Sequence, residues 1–354
     1  MTERDRWGPR GAVRSCRLQR TWYSRRCGAD ACETEERGDI SSVDFREDGS
    51  LASRWHRNSD GSELTWTYEC NDMGQPVIVR TEDTSGIVDL QRYEYDSAGR
   101  LVRLIARAKG GGDRVAESWE YDAAGRKIKT LYVDLAAQRP DTHYGWGVEG
   151  TDSSYSAPGA TTLRTFHNER EQPTQLLFQD AAGRVLSRVE FVYDEAGHLI
   201  EEAQTRTEET LPPGLLAEMN PAQRRTMGAF WGVGEPMRRL HRYDTNGRRS
   251  ETRSQLVPLH ADRRTVVYND DGDPIEENFE QESRDYTVDD EGRLSDSPTK
   301  ETVSRSETRF RYDYDEHGNW IRKVVEGRWG AMQDFTTSSI ELRTLAYYDE
   351  TLQS

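Results

Sequence analysis

Short runs of strand-forming residues alternate with turn residues along most of the chain. Runs such as Leu101-Val-Arg-Leu-Ile and Val185-Leu-Ser-Arg-Val-Glu-Phe-Val-Tyr193 are rich in the β-branched and aromatic types that suit a pleated, half-buried surface. Between the runs recurs the unit Asp/Asn-x-x-Gly. It opens at Asn58, Asn71, Asp83, Asp96, Asp122, Asp180, Asp194, Asp244, Asn269, Asp289 and Asp315, with a degenerate copy at Arg46-Glu-Asp-Gly49. Asp5 fits the unit but lies outside the array. The glycines at 49, 61, 74, 86 and 99 stand 12 or 13 residues apart, and a Gly110-Gly111-Gly112 cluster fills the next slot before Gly125. Later, Gly183 to Gly197 is a step of 14 and Gly247 to Gly272 a double step of 25.

The chemistry of the unit explains the spacing. An Asp or Asn side chain opens a type I turn by accepting hydrogen bonds from backbone amides ahead of it. The glycine takes the left-handed conformation without steric cost, which closes a short hairpin with a glycine bulge. What remains between turns is eight or nine residues, an ordinary strand length. The chain is therefore expected to be all-β: a twisted, spiralling antiparallel meander of hairpins. Its structural turn residues are Asp96, Gly99, Asp122, Gly125, Asp194, Gly197, Asp244, Gly247, Asp315 and Gly318. Tyrosine precedes many turns (Tyr95, Tyr121, Tyr193, Tyr243, Tyr268, Tyr314), and five copies read Asp-x-x-Gly-Arg: Asp96/Arg100, Asp122/Arg126, Asp180/Arg184, Asp244/Arg248 and Asp289/Arg293. In a bulged hairpin these acids and bases face each other and clamp the turn, contributing a few tenths of a kcal/mol each when exposed.

Tyr95-Asp-Ser-Ala-Gly-Arg-Leu, Tyr121-Asp-Ala-Ala-Gly-Arg, Tyr193-Asp-Glu-Ala-Gly-His-Leu and Tyr314-Asp-Glu-His-Gly-Asn-Trp resemble the YD repeats of RHS proteins, over roughly residues 40–325. The resemblance implies spiralling β-sheets, which in large toxins and teneurins close into hollow shells. It also implies a secreted or surface-displayed protein, and individual repeats of the family have been linked to carbohydrate binding. This chain departs from the large members. It has too few hairpins to wrap a big cavity, no counterpart of the self-cleaving core segment, and no distinct toxin domain after Gly318. It looks like a small stand-alone YD-repeat protein.

Two stretches interrupt the pattern. Residues 134–162 carry no period. Residues 207–238 hold Pro212-Pro213-Gly214, then Asn220-Pro221, an N-cap and a first-turn proline that predict a short helix from 221 to about 230. The expected plan is one repeat domain: an N-terminal cap strand and cysteine cluster over 1–40, hairpins over 41–133, an insertion over 134–162, hairpins over 163–206, a helix-bearing insertion over 207–238, hairpins over 239–325 and C-terminal cap strands over 326–354. Residues 13–23 and 339–348 read as strands capping the array, since terminal units of repeat arrays are commonly atypical. The insertions are rich in aromatics, and Tyr144, Trp146, Tyr155, Phe230 and Trp231 form a candidate ligand platform, because flat rings stack on sugar faces or anchor a protein. The rival reading makes the insertions covers for an open sheet face or end.

Composition narrows the classes. The hydrophobic set is 34% and charged residues 32%, so a thick spherical core is excluded and a thin layered body favoured. A net charge of −16 excludes broad nucleic-acid binding, despite eight arginines within residues 3–26. No run approaches a membrane-spanning length, and Met1-Thr-Glu-Arg-Asp-Arg-Trp carries no apolar signal segment, which makes the cytosol the default expectation as written. Cys16, Cys27, Cys32 and Cys70 could form two disulfides, remain thiols, or bind zinc, although their spacing misses the zinc-knuckle pattern.

Common signatures of catalysis are absent: no Walker A loop, HExxH or GxSxG string occurs. Six of the seven histidines, His143, His167, His198, His241, His260 and His317, are scattered, and the carboxylates that crowd the turns match no calcium pattern. The expectation is a non-enzymatic binding or structural module for a carbohydrate or a protein, with no cofactor and no metal. Two alternatives stand beside it. One is a hydrolase whose acid and base come from the insertions, such as Asp141 with His143, or Glu235. The other is an accessory partner that lends an edge strand to a larger RHS-type assembly.

Overall fold

A computed structural model of the chain describes residues 9–27, 32–132, 146–147, 154–155, 157, 159–210, 219–230, 233–234, 236–256, 260–287, 289, 295, 297–330 and 334–348. Among them the structure is all-β, with one α-helix, α1 (Pro221–Phe230), and a single 3₁₀ turn at Glu208–Thr210. The chain divides into two compact units, Met1–Val115 with Thr308–Ser354, and Ala116–Glu307.

The first unit contains β1 (Val13–Cys27), β2 (Cys32–Phe45), β3 (Leu51–Arg57), β4 (Glu63–Cys70), β5 (Pro76–Asp83), β6 (Gly86–Tyr95) and β7 (Leu101–Ala108). Each pairs antiparallel with the next. Further along the chain, β21 (Trp320–Trp329) pairs with β22 (Thr336–Tyr347), and β22 pairs with β1. The strands expected to cap opposite ends of the array are thus mates: β1 lies hydrogen-bonded between β2 and β22. Val13, Cys16, Val43, Phe45 and Leu51 form this unit's apolar cluster, with Tyr68, Leu345 and Tyr347 packed on it. Cys16 and Cys70 are free thiols, so the pairing of all four cysteines into two disulfides is not what the fold contains. Burial raises the Cys16 thiol above its usual pKa. Cys27 and Cys32 face each other in the β1–β2 register, and their side chains lie outside the described residues.

The second unit runs β9 (Lys127–Tyr132), β12 (Thr162–His167), β13 (Pro173–Gln179), β14 (Val185–Tyr193), β15 (Leu199–Arg206), β16 (Met237–Tyr243), β17 (Arg249–Leu256), β18 (His260–Tyr268) and β19 (Pro274–Asp285). All neighbours in that order pair antiparallel, and β8 (Arg114–Tyr121) pairs with β9. Between β19 and β21 the chain forms β20 (Lys300–Tyr314). Both interruptions return the chain beside the strand it left, since β12 pairs with β9 and β16 with β15. The first interruption contains a pair of two-residue strands, β10 (Trp146–Gly147) antiparallel to β11 (Ser154–Tyr155). The second contains α1, capped by Asn220, whose Oδ1 accepts from the amides of Ala222 and Gln223, while Gln223 accepts from the Asn220 amide.

The turns have the geometry their chemistry dictates. In Asp96–Arg100 the Asp96 amide donates to the Arg100 carbonyl at 2.9 Å and Gly99 donates to the Asp96 carbonyl at 3.0 Å, with Gly99 at φ +74°. The arginine clamp is present at Asp96/Arg100, Asp122/Arg126, Asp180/Arg184 and Asp244/Arg248. Arg293 lies outside the described residues, so the fifth pair is not seen. Asp83 departs from expectation: it pairs directly with Gly86 and makes a tighter two-residue loop. Asn168-Glu-Arg-Glu171, which the glycine pattern misses, makes the full turn with Glu171 at φ +63° in the glycine position.

The structural repeat is a two-strand hairpin rather than a single strand. In the first unit the turns opening at Arg46, Asn71 and Asp96 join β2 to β3, β4 to β5 and β6 to β7, at intervals of 25 residues, so they share one edge of the sheet. These neighbours touch, as Gln75 Nε2 donates to the Gly99 carbonyl at 2.8 Å. In the second unit Gln172 reaches the Gly197 carbonyl in the same way, and Arg248 reaches the Asn269 carbonyl, both at 2.8 Å.

Candidate functional site

The second unit has one face whose character changes across the sheet. On β12 to β14 it carries Leu163, Leu176, Phe178, Val189 and Phe191, which are buried and form the unit's apolar cluster. The register continues that face into β15 at Glu202, opposite Phe191, and Gln204, opposite Val189. From there it is polar. Arg239 on β16 stands opposite Glu202 and Ser254, and His241 stands opposite Thr252 on β17. Thr252 in turn faces Arg264 on β18, which faces Phe279 on β19. Four strands thus place His241, Thr252, Arg264 and Phe279 side by side in one row.

This row borders a cavity of about 450 Å³, which Ser254 and Asp262 also line. That volume lies within the range of small-molecule sites. At its inner end is a hydrogen-bonded chain. Glu202 is 2% exposed and His241 5%. His241 Nε2 lies 2.7 Å from Glu202 Oε1, and His241 Nδ1 lies 3.0 Å from Thr252 Oγ1. The Tyr155 hydroxyl donates to the other Glu202 oxygen, and Arg239 Nη1 stands 3.8 Å from it. A carboxylate accepts hydrogen bonds but does not donate them, so His241 Nε2 donates to Glu202, and the contact at Nδ1 joins the ring to the Thr252 hydroxyl.

Neighbouring groups feel the buried charge. Burial, with the charges of Glu202 and Tyr243, pushes the Tyr193 hydroxyl up to about 12. That hydroxyl donates to the Pro173 carbonyl at 2.9 Å. Burial would also raise Glu251, but hydrogen bonds from the Arg253 and Arg263 guanidinium groups prevail and hold it below its usual range.

Of the aromatics proposed from sequence, Tyr155 is placed clearly, and it is no exposed platform. It is 3% exposed, its ring meets Phe191 edge-on with centroids 5.9 Å apart, and its hydroxyl is spent on Glu202. The backbones of Trp146 and Phe230 are placed in β10 and α1, but their side chains, like Tyr144 and Trp231, lie outside the described residues. The same holds for Asp141, His143 and Glu235 of the hydrolase alternative. Glu202, Thr252 and the role of His241 had no signature in sequence. The one available hint was a histidine and a glutamate amid otherwise β-like strands, at positions a buried face would use. Among the described residues no group of three metal-ligating side chains gathers.

The fold and this groove define an all-β antiparallel repeat protein with a polar cavity on one sheet face. No family model matches the chain, and no curated protein matches it. Solved structures resemble it weakly. A porin-like protein from Bacteroides uniformis superimposes with a TM-score of 0.32 at 9% identity, over 96% of this chain and 98% of that one. The TcdB2-TccC3 structure without its hypervariable C-terminal region gives 0.25 at 12% identity, over 90% of this chain and 19% of that one. The Photorhabdus luminescens Tc holotoxin pore gives 0.24 at 12% identity, over 90% and 18%. This chain therefore matches a small part of those toxin chains, and at such scores the likeness carries no argument about the site.

Proposed function

We propose that the chain is a β-repeat binding module of the RHS/YD type, and that the cavity bordered by β16 to β19 takes a hydroxyl-rich ligand of the saccharide class. The supporting observation is the mixture on the cavity wall: carboxylates (Glu251, Asp262), guanidinium groups (Arg239, Arg249, Arg264), two hydroxyls (Thr252, Ser254) and two rings (Tyr268, Phe279) around about 450 Å³. Sugars are held by such sets, with polar groups for the hydroxyls and a flat ring for the apolar face. The repeat resemblance points the same way, to a secreted or surface-displayed protein with a spiralling meander. The accessory-partner reading has less support, because β1 and β22 each have a strand on both sides and offer no open edge.

A glycan array probed with the full chain, followed by calorimetry on the hits, tests the reading. Binding to a saccharide is expected, and Asp262→Asn and Phe279→Ala should each weaken it about tenfold or more, which is about 1.4 kcal/mol. A blank array, or binding that neither change alters, removes the proposal.

A further inference from the structure

We infer that the Glu202–His241–Thr252 chain is an acyl-transfer site, with Thr252 as nucleophile, His241 as general base and Glu202 as the positioning residue. The inference goes beyond ligand binding and rests on geometry of its own. Thr252 Oγ1 and His241 Nδ1 are 3.0 Å apart, and His241 Nε2 and Glu202 Oε1 are 2.7 Å apart. Both spacings lie within reach of a nucleophile, its base and the group that orients the base. The carboxylate sets the imidazole tautomer, and the Tyr155 hydroxyl holds the second carboxylate oxygen in place.

A purely structural role explains this arrangement poorly. A buried ion-forming pair is often no better for stability than an apolar pair of the same volume, and the adjoining strands of the same face use apolar pairs such as Leu176 with Val189. The chain of bonds also ends on a hydroxyl at the wall of a cavity rather than on a core carbonyl. On its other side Thr252 faces Arg264, which Glu277 anchors through a 2.6 Å bond. A guanidinium on the residue facing the nucleophile, lining the same cavity, is the kind of group that stabilises the negative charge an attacked carbonyl develops.

The substrate class that fits is a small carboxylic ester. Thr252 Oγ1 bonds to the ester carbonyl carbon while its proton passes to His241 Nδ1. The tetrahedral oxyanion collapses, the ester C–O bond breaks, and the leaving alkoxide takes the proton from His241. The products are an alcohol and an acyl-Thr252 ester. Water, deprotonated by His241, attacks that ester, the acyl–Oγ1 bond breaks, and the proton returns to Oγ1 as the carboxylic acid departs. No oxidant or reductant is needed.

p-Nitrophenyl acetate and p-nitrophenyl butyrate, given to the full chain, provide the test, read as nitrophenolate release and as acyl groups on peptides after acid quench. The wild-type chain is expected to turn over ester, with the acyl group on the Thr252 peptide. Thr252→Val and His241→Gln should lose roughly a hundredfold or more of the rate, and Thr252→Ser should keep both the activity and the acylated peptide. Glu202→Gln should lower kcat more than it changes KM and alter the pH profile. No turnover by the folded wild-type chain, equal rates in Thr252→Val, or acyl groups on another peptide overturns the inference. A blank glycan array leaves it standing, because an ester needs the cavity and not the sugar contacts.

Discussion

Glutamate at position 171 shows how much of this fold rests on single backbone angles. It occupies the left-handed slot of the Asn168 turn at φ +63°, where, among the described residues, every comparable turn opening on Asp or Asn between β-strands has glycine. An L side chain in that region carries a steric cost of about 1–2 kcal/mol. Asn168 Oδ1 still accepts from the amides of Arg170 and Gln172, so the hydrogen bonds hold the turn against that cost. Glu171→Gly should therefore raise stability by roughly 0.5–1 kcal/mol, the relieved strain outweighing the extra freedom of glycine in the unfolded chain. Thermal unfolding measures it, and an unchanged or lower midpoint would mean that the angle is not strained.

At the scale of the hairpin, the acid at the head of each turn serves several donors at once. Asp96 Oδ1 takes the amides of Ala98 and Arg100, and Oδ2 takes the Arg100 guanidinium. The hydrogen bonds from Arg100, side chain first, hold Asp96 below the usual carboxylate range. In Asp122, Asp180, Asp194 and Asp244 the amide of the residue four places on is the leading cause of the same lowering. A carboxyl whose folded pKa is depressed stabilises the fold above the unfolded value near 4, and that contribution disappears as the pH falls through the lower folded value. The unfolding temperature should thus drop between about pH 5 and pH 2. Changing all five to Asn keeps the Oδ1 acceptor, as Asn71 and Asn168 already do, and should flatten that slope. An equally steep slope in the Asn variant places the acid sensitivity elsewhere.

The same hairpins show what sequence can and cannot convey. The turn unit and the strand length between turns are local, so the all-β class with antiparallel pairing, most turn positions and α1 are readable from residue types. The tyrosine before the turn also has a role that its position alone did not reveal: Tyr95, Tyr243 and Tyr268 donate to the carbonyls of Pro76, Leu199 and Arg249, strands that only the folded register brings near. The candidate site is further still from local pattern. Glu202 and His241 are 39 residues apart and belong to strands that meet only because the chain leaves at Arg206 and returns at Met237 beside the strand it left. Aromatic content drew attention to the insertions instead, and the one ring there that can be placed with its contacts, Tyr155, serves the core and Glu202.

For the molecule as a whole, the first unit is built from both ends of the sequence. Its apolar cluster needs Val13 and Cys16 from β1, Val43 from β2 and Leu345 from β22. Removing residues 336–347 should therefore strip one side of β1 and uncover Cys16, whose side chain faces Leu345. Titration with a thiol reagent should find Cys16 slow in the full chain and fast in the shortened one. Equal rates in both would mean that β22 does not shelter it. The account as a whole depends on strand register, because a slip of one residue moves every side chain to the opposite face. Diffraction from crystals of the full chain, phased experimentally, measures this most directly. The expected map shows β15 to β19 antiparallel, with His241, Thr252, Arg264 and Phe279 in one row and His241 bonded to Glu202. A map with Thr252 on the face opposite His241, or with parallel pairing among these strands, would contradict it.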